Sequence, residues 1–327
     1  MTGEVILKVE DLYKRFPAGR PGIWSGTEAF VHAVDGVGFE LAKGEVLALA
    51  GESGCGKSTL ALTLMGLETP TNGRVTFHGE DVTHLNGKAL KAYRRRIQMV
   101  FQDPYESLNP LMTIEDLVAE PLVVHGIDPD AASRRRRVLT ALSDAGLKPP
   151  ESFMRRYPHE LSGGQRQRVV IAGALVLDPD VLLADEPVSM LDVSIRAEIL
   201  NLLWELCETR GIAVLLITHD LATSAYLADR VAVMYLGRIV EIGSTLDVLE
   251  KPAHPYTQAL LSVVPVPNPR RRKERVILQG APPNAIHIPA GCRFHPRCPK
   301  VFDRCAEIDP VLQEVAPGHQ AACLLNC

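Results

Sequence analysis

The chain has 327 residues, 46% of them hydrophobic and 23% charged, with a formal net charge of -4. That length fits about two domains, the composition excludes disordered and fibrous classes, and the slight acidity argues against a general nucleic-acid binder. No apolar run nears the roughly 18 residues of a bilayer span, and the start carries no secretion-signal pattern, so the chain is expected in the cytoplasm, reaching a membrane only through a partner.

Residues 5–9 alternate weakly and predict an opening strand; residues 17–27, rich in Gly and Pro, predict a surface loop. Residues 34–41 and 45–50 predict two strands divided by a Lys43-Gly44 turn, and the second runs straight into a glycine-rich loop. Helical spacing follows over 57–66, and 74–78 and 97–101 predict further strands. Between about 103 and 158 strand signals vanish, while 113–124 and 131–145 have helical spacing, which predicts a helical insertion. Residues 169–177 predict a helix. The continuous apolar runs 181–185 and 213–218 predict buried strands of parallel type. Alternating strands and helices imply a mostly parallel sheet covered on both faces, an α/β fold. From about 251 prolines accumulate, a basic run follows at 270–273, and five of the seven cysteines crowd the last 36 residues. A boundary is therefore expected between residues 1–250 and 251–327. The arginine runs at 94–96, 134–137 and 270–273 predict solvated faces rather than lipid contacts.

Gly51, Glu52, Ser53, Gly54, Cys55, Gly56, Lys57, Ser58 and Thr59 fit the pattern G-x-x-x-x-G-K-[ST]. Glycines let the backbone wrap phosphates where side chains would collide, and the helix N-terminus then faces the anion. Lys57 supplies a point charge to the β- and γ-phosphates of a nucleotide, and Ser58 can ligate Mg²⁺. Cys55 holds a variable position of the loop and is read as a bystander. The apolar run 181–184 ends in Asp185 and Glu186. Beside a phosphate loop, Asp185 would hold the metal, directly or through water, and Glu186 would polarise an attacking water as general base.

Leu161-Ser162-Gly163-Gly164-Gln165 is the most specific segment. With it the sequence resembles the ATP-binding-cassette family over roughly residues 4–250. The resemblance implies a P-loop NTPase cassette, a RecA-like parallel core plus antiparallel strands, with a helical subdomain at about 103–165. It implies that Ser162, Gly163, Gly164 and Gln165 face the γ-phosphate held by an opposing subunit, and hence a dimer of nucleotide domains. Gln102 matches the family's metal-sensing glutamine, Asp192 its dimer-facing aspartate and His219 its switch histidine, although Met190 stands where the family more often has a smaller residue. The family also stacks an aromatic ring on adenine; Phe16 is the first candidate, with Trp24 and Phe30 as rivals. Lys57, Gln102, Glu186 and His219 are thus the expected catalytic residues, and ATP with Mg²⁺ at Ser58, Gln102 and Asp185 the expected ligands.

The segment 254–261, then 291–298 and 317–323, resembles the C-terminal extension of the oligopeptide, dipeptide and nickel importer ATPases. Its cysteines run C-x5-C-x6-C-x17-C through Cys292, Cys298, Cys305 and Cys323. Four thiolates can hold Zn²⁺ or a [4Fe–4S] cluster, and members resembling this extension carry a cluster, so iron–sulfur is expected, with a structural or regulatory role. Zn²⁺ or free thiols are the alternatives, Cys327 could replace Cys323, and His295 and His319 are weaker candidates. The resemblance implies an energy-coupling ATPase of a membrane importer, first for oligopeptides or dipeptides, next for nickel or another small solute. It sits peripherally on the cytoplasmic face, with a homologous second ATPase (a heterodimer before a homodimer), two permease subunits and an extracytoplasmic solute-binding protein, and without nucleic acid. A soluble cassette ATPase acting on DNA or the ribosome is the rival class. It is disfavoured because one loop, one signature and no coiled-coil insertion are present.

Overall fold

Unbroken apolar runs decide where the central strands lie, because a strand of parallel type buries both faces. The computed structural model describes residues 3–18, 29–264, 275–281 and 283–326. Trp24, the basic run at 270–273 and Cys327 lie outside them. The chain divides into two compact units, and each is taken in turn.

The first unit holds the chain's opening residues with Ala42–Val46 and Leu85–Leu216. Strand Val181–Asp185 is buried at every position and pairs in parallel with Ile97–Val100, in register Ile97 to Val181 and Val100 to Ala184. Ala213–Thr218, equally buried, lies on its other side. The expected helical insertion is present: helices Ile114–His125 and Ala131–Asp144 pack on each other and on helix Gly163–Leu175. Each starts on a side-chain cap, with Thr113 accepting from Asp116 N, Asp130 from Ser133 N and Ser162 from Gln165 N, which satisfies amides a helix start leaves bare. Helices Gly87–Arg96 and Val193–Arg210 were not expected from the sequence.

The second unit draws on Leu7–Leu41, Leu47–His84 and Ile217–Cys327. One of its sheets runs Phe30–Ala42, Val5–Pro17, Asn72–Phe77, Glu80–Asp81, with Asn72–Phe77 antiparallel to both of its neighbours. Its second set of strands starts at Val46–Ala50, which pairs in parallel with Arg230–Tyr235. Antiparallel partners follow in the order Arg238–Ser244, His319–Ala321, Gln313–Ala316. The hairpin between Tyr235 and Arg238 turns on Leu236 and Gly237, both at positive φ (44° and 83°), the conformation a tight two-residue hairpin demands. Residues beyond 250 are built into this unit. Tyr256 and Phe294, 0% and 1% exposed, share one core with Ala48, Ala50, Val231, Val233 and Tyr235, and the rings of Tyr235, Tyr256 and Phe294 lie 4.7 to 5.4 Å apart. Glu241 is fully buried. It accepts the amides of Ala253 and His254 and contacts His319 Nε2 at 2.7 Å, so strand 238–244 is tied to the chain's end.

Candidate functional site

The glycine loop leaves strand Val46–Ala50 and enters helix Lys57–Leu64. A Cβ on Gly51 would stand 2.3 Å from the Met234 carbonyl oxygen. One on Gly56, whose φ is 109°, would stand 1.9 Å from that of Ala33. Backbone on both sides therefore requires glycine at these two positions. The helix has no side-chain cap and no acidic residue in its first turn, so its amides are open to an anion. Lys57 is 5% exposed and donates to the carbonyls of Gly51 (2.8 Å) and Glu52 (2.9 Å). Ser53, Gly54 and Ser58 are exposed and Thr59 is half-buried. Cys55 is 7% exposed, and burial pushes its thiol above the usual range, a setting that disfavours the reactive thiolate.

Glu52 stands out in this loop. Its backbone amide donates to the Tyr256 hydroxyl at 2.9 Å. Its carboxylate receives both terminal nitrogens of Arg297, at 2.8 and 3.1 Å. The sequence gives Glu52 no role beyond its place in the loop pattern, and nothing in it places Arg297 beside the loop. Contact across 245 positions leaves no local signal. A buried ion pair lies close by in sequence: Arg293 pairs with Asp35, which is also approached by Arg15, His32 and Arg238. Burial opposes the charge on Asp35, but Arg293 foremost, with His32 and Arg15, holds its carboxyl below the usual range. Arg293 also donates to Leu236 O, and Gly237 N donates to Cys55 O, so the strained hairpin turn is fastened to the loop.

In the first unit, Gln102 and Glu186 are brought together: the Gln102 amide donates to Glu186 Oε2 at 3.0 Å. Asp185, 6% exposed, ends its strand, and Glu186 takes the left-handed region at φ 46°, a place strained residues of reactive sites often occupy. Ser162 and Gln165 cap each other reciprocally, through Ser162 Oγ to Gln165 N (3.3 Å) and Gln165 Oε1 to Ser162 N (3.1 Å). The Gln165 side chain thus holds the helix start, while Ser162 is exposed and Gly163 and Gly164 are half-buried. A Cβ on Gly164 would lie 2.6 Å from Ile195 Cγ2, so glycine here also serves packing. In the second unit His219 is exposed just beyond the strand end, and Asp220 N donates to Thr218 Oγ1 at 3.0 Å, fixing that turn. Phe16 lies half-buried with the Lys14 ammonium over its ring at 4.6 Å; Phe30 is half-buried as well. The donors expected for Mg²⁺, the Ser58 hydroxyl, the Gln102 amide oxygen and the Asp185 carboxylate, are all oxygens, the chemistry that metal takes.

Cys292, Cys298, Cys305 and Cys323 line one small cavity with His254 and His295. Burial, reinforced by the neighbouring cysteines, pushes the Cys292 thiol up to about 11, and burial also raises that of Cys298. With no metal bound such thiols are protonated, and a metal would have to displace those protons to bind. Among the described residues no group of three or more His, Cys, Asp or Glu is arranged to hold a metal ion. The expected iron–sulfur cluster is therefore not supported, and neither is Zn²⁺; the cysteines converge on one cavity without forming a coordination sphere.

Residues 34–189 match the family model described as ABC transporter, and 240–305 match that described as Oligopeptide/dipeptide transporter, C-terminal region. The chain is 47% identical to the oligopeptide transport ATP-binding protein AppF of Bacillus subtilis over 325 residues, covering 98% of each. Among solved structures it is similar to a dimeric ATP-binding cassette in a post-hydrolysis state bound to ADP and Pi (TM-score 0.64, 31% identity, 73% of this chain and 99% of that one). It is also similar to cbiO1 of Clostridium perfringens, part of an ABC transporter complex (TM-score 0.65, 34% identity, 76% and 92%).

Proposed function

This chain belongs to the ATP-binding-cassette transporter family, and from that premise we propose that it is the energy-coupling ATPase of a membrane importer whose cargo is an oligopeptide or dipeptide. It binds ATP and hydrolyses it in step with transport, as the cassettes it matches do. The observation that carries the peptide reading is the match of residues 240–305 to the oligopeptide/dipeptide transporter C-terminal region, on a chain aligned end to end with a peptide-transport relative.

In this reading the amides of Gly51 to Thr59 and the Lys57 ammonium hold the phosphates, and Phe16 stacks on the base. Ser58, Gln102 and Asp185 would hold Mg²⁺, which neutralises developing phosphate charge when bound. Glu186 accepts the proton of the attacking water. Its hydrogen bond from Gln102 aims the carboxylate and makes its position sensitive to the loop that carries Gln102. His219 reaches the γ-phosphate. Ser162 with the glycine amides serves the nucleotide of a second, homologous ATPase subunit, so two chains complete each site. Among the described residues no helix is long and apolar enough to cross a membrane; permease subunits, fed by a solute-binding protein, hold this chain at the cytoplasmic face. Residues 1–250 form the cassette and 251–327 the extension in this division.

Reconstitution tests the reading. The chain, its partner ATPase, the permeases and the binding protein in proteoliposomes are expected to accumulate a labelled oligopeptide only with ATP. Uptake of nickel or another small solute with no peptide uptake would overturn the cargo assignment, and ATP hydrolysis indifferent to the permeases would overturn the coupling role.

A further inference from the structure

An acidic residue inside a phosphate-binding loop is an electrostatic liability. The loop exists to bind a polyanion, and an unpaired carboxylate on its second residue would oppose that. Glu52 is such a residue, and all its polar groups are occupied. The carbonyl receives Lys57 Nζ, the amide donates to Tyr256, and the carboxylate receives the fork of Arg297. The Arg297 side chain is 7% exposed, and its Nε has no hydrogen-bond partner among the described residues. A buried guanidinium needs an anion in bidentate geometry, and Glu52 is the one that meets it. Arg297 is itself held in a short helical turn, His295–Arg297, next to Phe294, which packs in the same core as Ala48 and Ala50 of the loop's strand. Arg297, Tyr256, Glu52 and Lys57 all belong to the second unit.

We propose that Arg297 is a positioning residue for nucleotide binding: it neutralises Glu52 and, with Tyr256, fixes the loop's second residue so that the Lys57 charge is available to the phosphates. The C-terminal segment is thereby part of the phosphate site's electrostatics. This rests on the reading of residues 51–59 as the nucleotide site.

Full-length protein titrated with MgADP and MgATP decides the matter, with thermal melting to confirm folding. Arg297→Gln weakens nucleotide binding by about tenfold, the scale of coupling between residues in one ion-pair network. The double variant Glu52→Gln/Arg297→Gln recovers to within about threefold of the unsubstituted chain, because the uncompensated carboxylate is gone. The loss in Arg297→Gln also shrinks at high salt, as screening predicts. Arg297→Lys, which keeps the charge, binds better than Arg297→Gln. Unchanged affinity in Arg297→Gln overturns the proposal. An equal loss in the single and double variants, independent of salt, also overturns it, since that is the signature of a packing role alone. If the unsubstituted chain fails to bind either nucleotide, the assignment of residues 51–59 falls instead, a distinct result.

Discussion

Glu186 holds a left-handed backbone at φ 46°, which costs a non-glycine residue of order 1–2 kcal/mol. The conformation presents the carboxylate to Gln102 at the end of a buried strand. Glu186→Gln keeps the shape and an acceptor for Gln102 but cannot take a proton. Hydrolysis is expected to fall by about 10²-fold or more while MgATP binding persists, measured by single-turnover phosphate release; unchanged hydrolysis rules out the base assignment. His254 offers a test in pH. Burial pushes its imidazole down to about 3, and its Nδ1 accepts from Tyr256 N at the start of helix Pro255–Ser262. Glu241, accepting the His254 amide, is the charged group beside it. Because the folded pKa lies below the unfolded one near 6.5, the neutral ring's contribution is complete above about pH 6.5. It is lost as pH falls toward 3, at about 1.4 kcal/mol per pH unit. His254→Asn keeps an acceptor and cannot charge, so its urea midpoint should decline less between pH 7 and 4.5. A parallel decline would show that His254 does not titrate on unfolding. At this scale the sequence speaks for residues 51–59, because phosphate chemistry confines them to consecutive positions. Glu52 with Arg297 and Asp35 with Arg293 are invisible in it, since nothing local marks a partner hundreds of positions away.

Among the elements, the loop is the most constrained. Gly56→Ala would force a Cβ against the Ala33 carbonyl at a φ of 109°. Loss of MgATP binding is expected, with destabilisation of at least about 1–3 kcal/mol, read by nucleotide titration and thermal melting. Native affinity in this variant would mean the loop relaxes freely. The buried strands and the helical insertion are legible because continuous apolar runs and helical spacing are strong periodic signals. Helix Val193–Arg210 was missed for a physical reason: Val193 and Trp204 are 82% and 52% exposed, which blurs its apolar stripe. The hairpin of strands Arg230–Tyr235 and Arg238–Ser244 was missed because its turn is Leu236-Gly237. That sequence lacks the Asn-Gly or Asp-Gly signal of such turns and is held by Arg293 and Cys55 instead.

At the scale of the whole chain, composition shifts near 251 while contacts carry on across it. A chain ending at 250 would lose His319 from Glu241, Arg293 from Asp35 and Arg297 from Glu52. It would also bare the edge of strand Arg238–Ser244 where His319–Ala321 pairs. Breaking one buried ion pair costs about 3–5 kcal/mol, and an uncovered edge invites aggregation. The shortened chain is expected to be insoluble or to melt well below the full one; equal melting temperatures would show these contacts to be dispensable. The same three carboxylates bear on any attempt at grafting. A chimera that joined this C-terminal segment to a foreign cassette would carry Arg293, Arg297 and His319 into a host lacking their counterparts. Only transplanting Asp35, Glu52 and Glu241 together with the segment would give all three side chains their partners. The natural cut for recombination in this chain is therefore not a place along the sequence but a set of residues scattered through it.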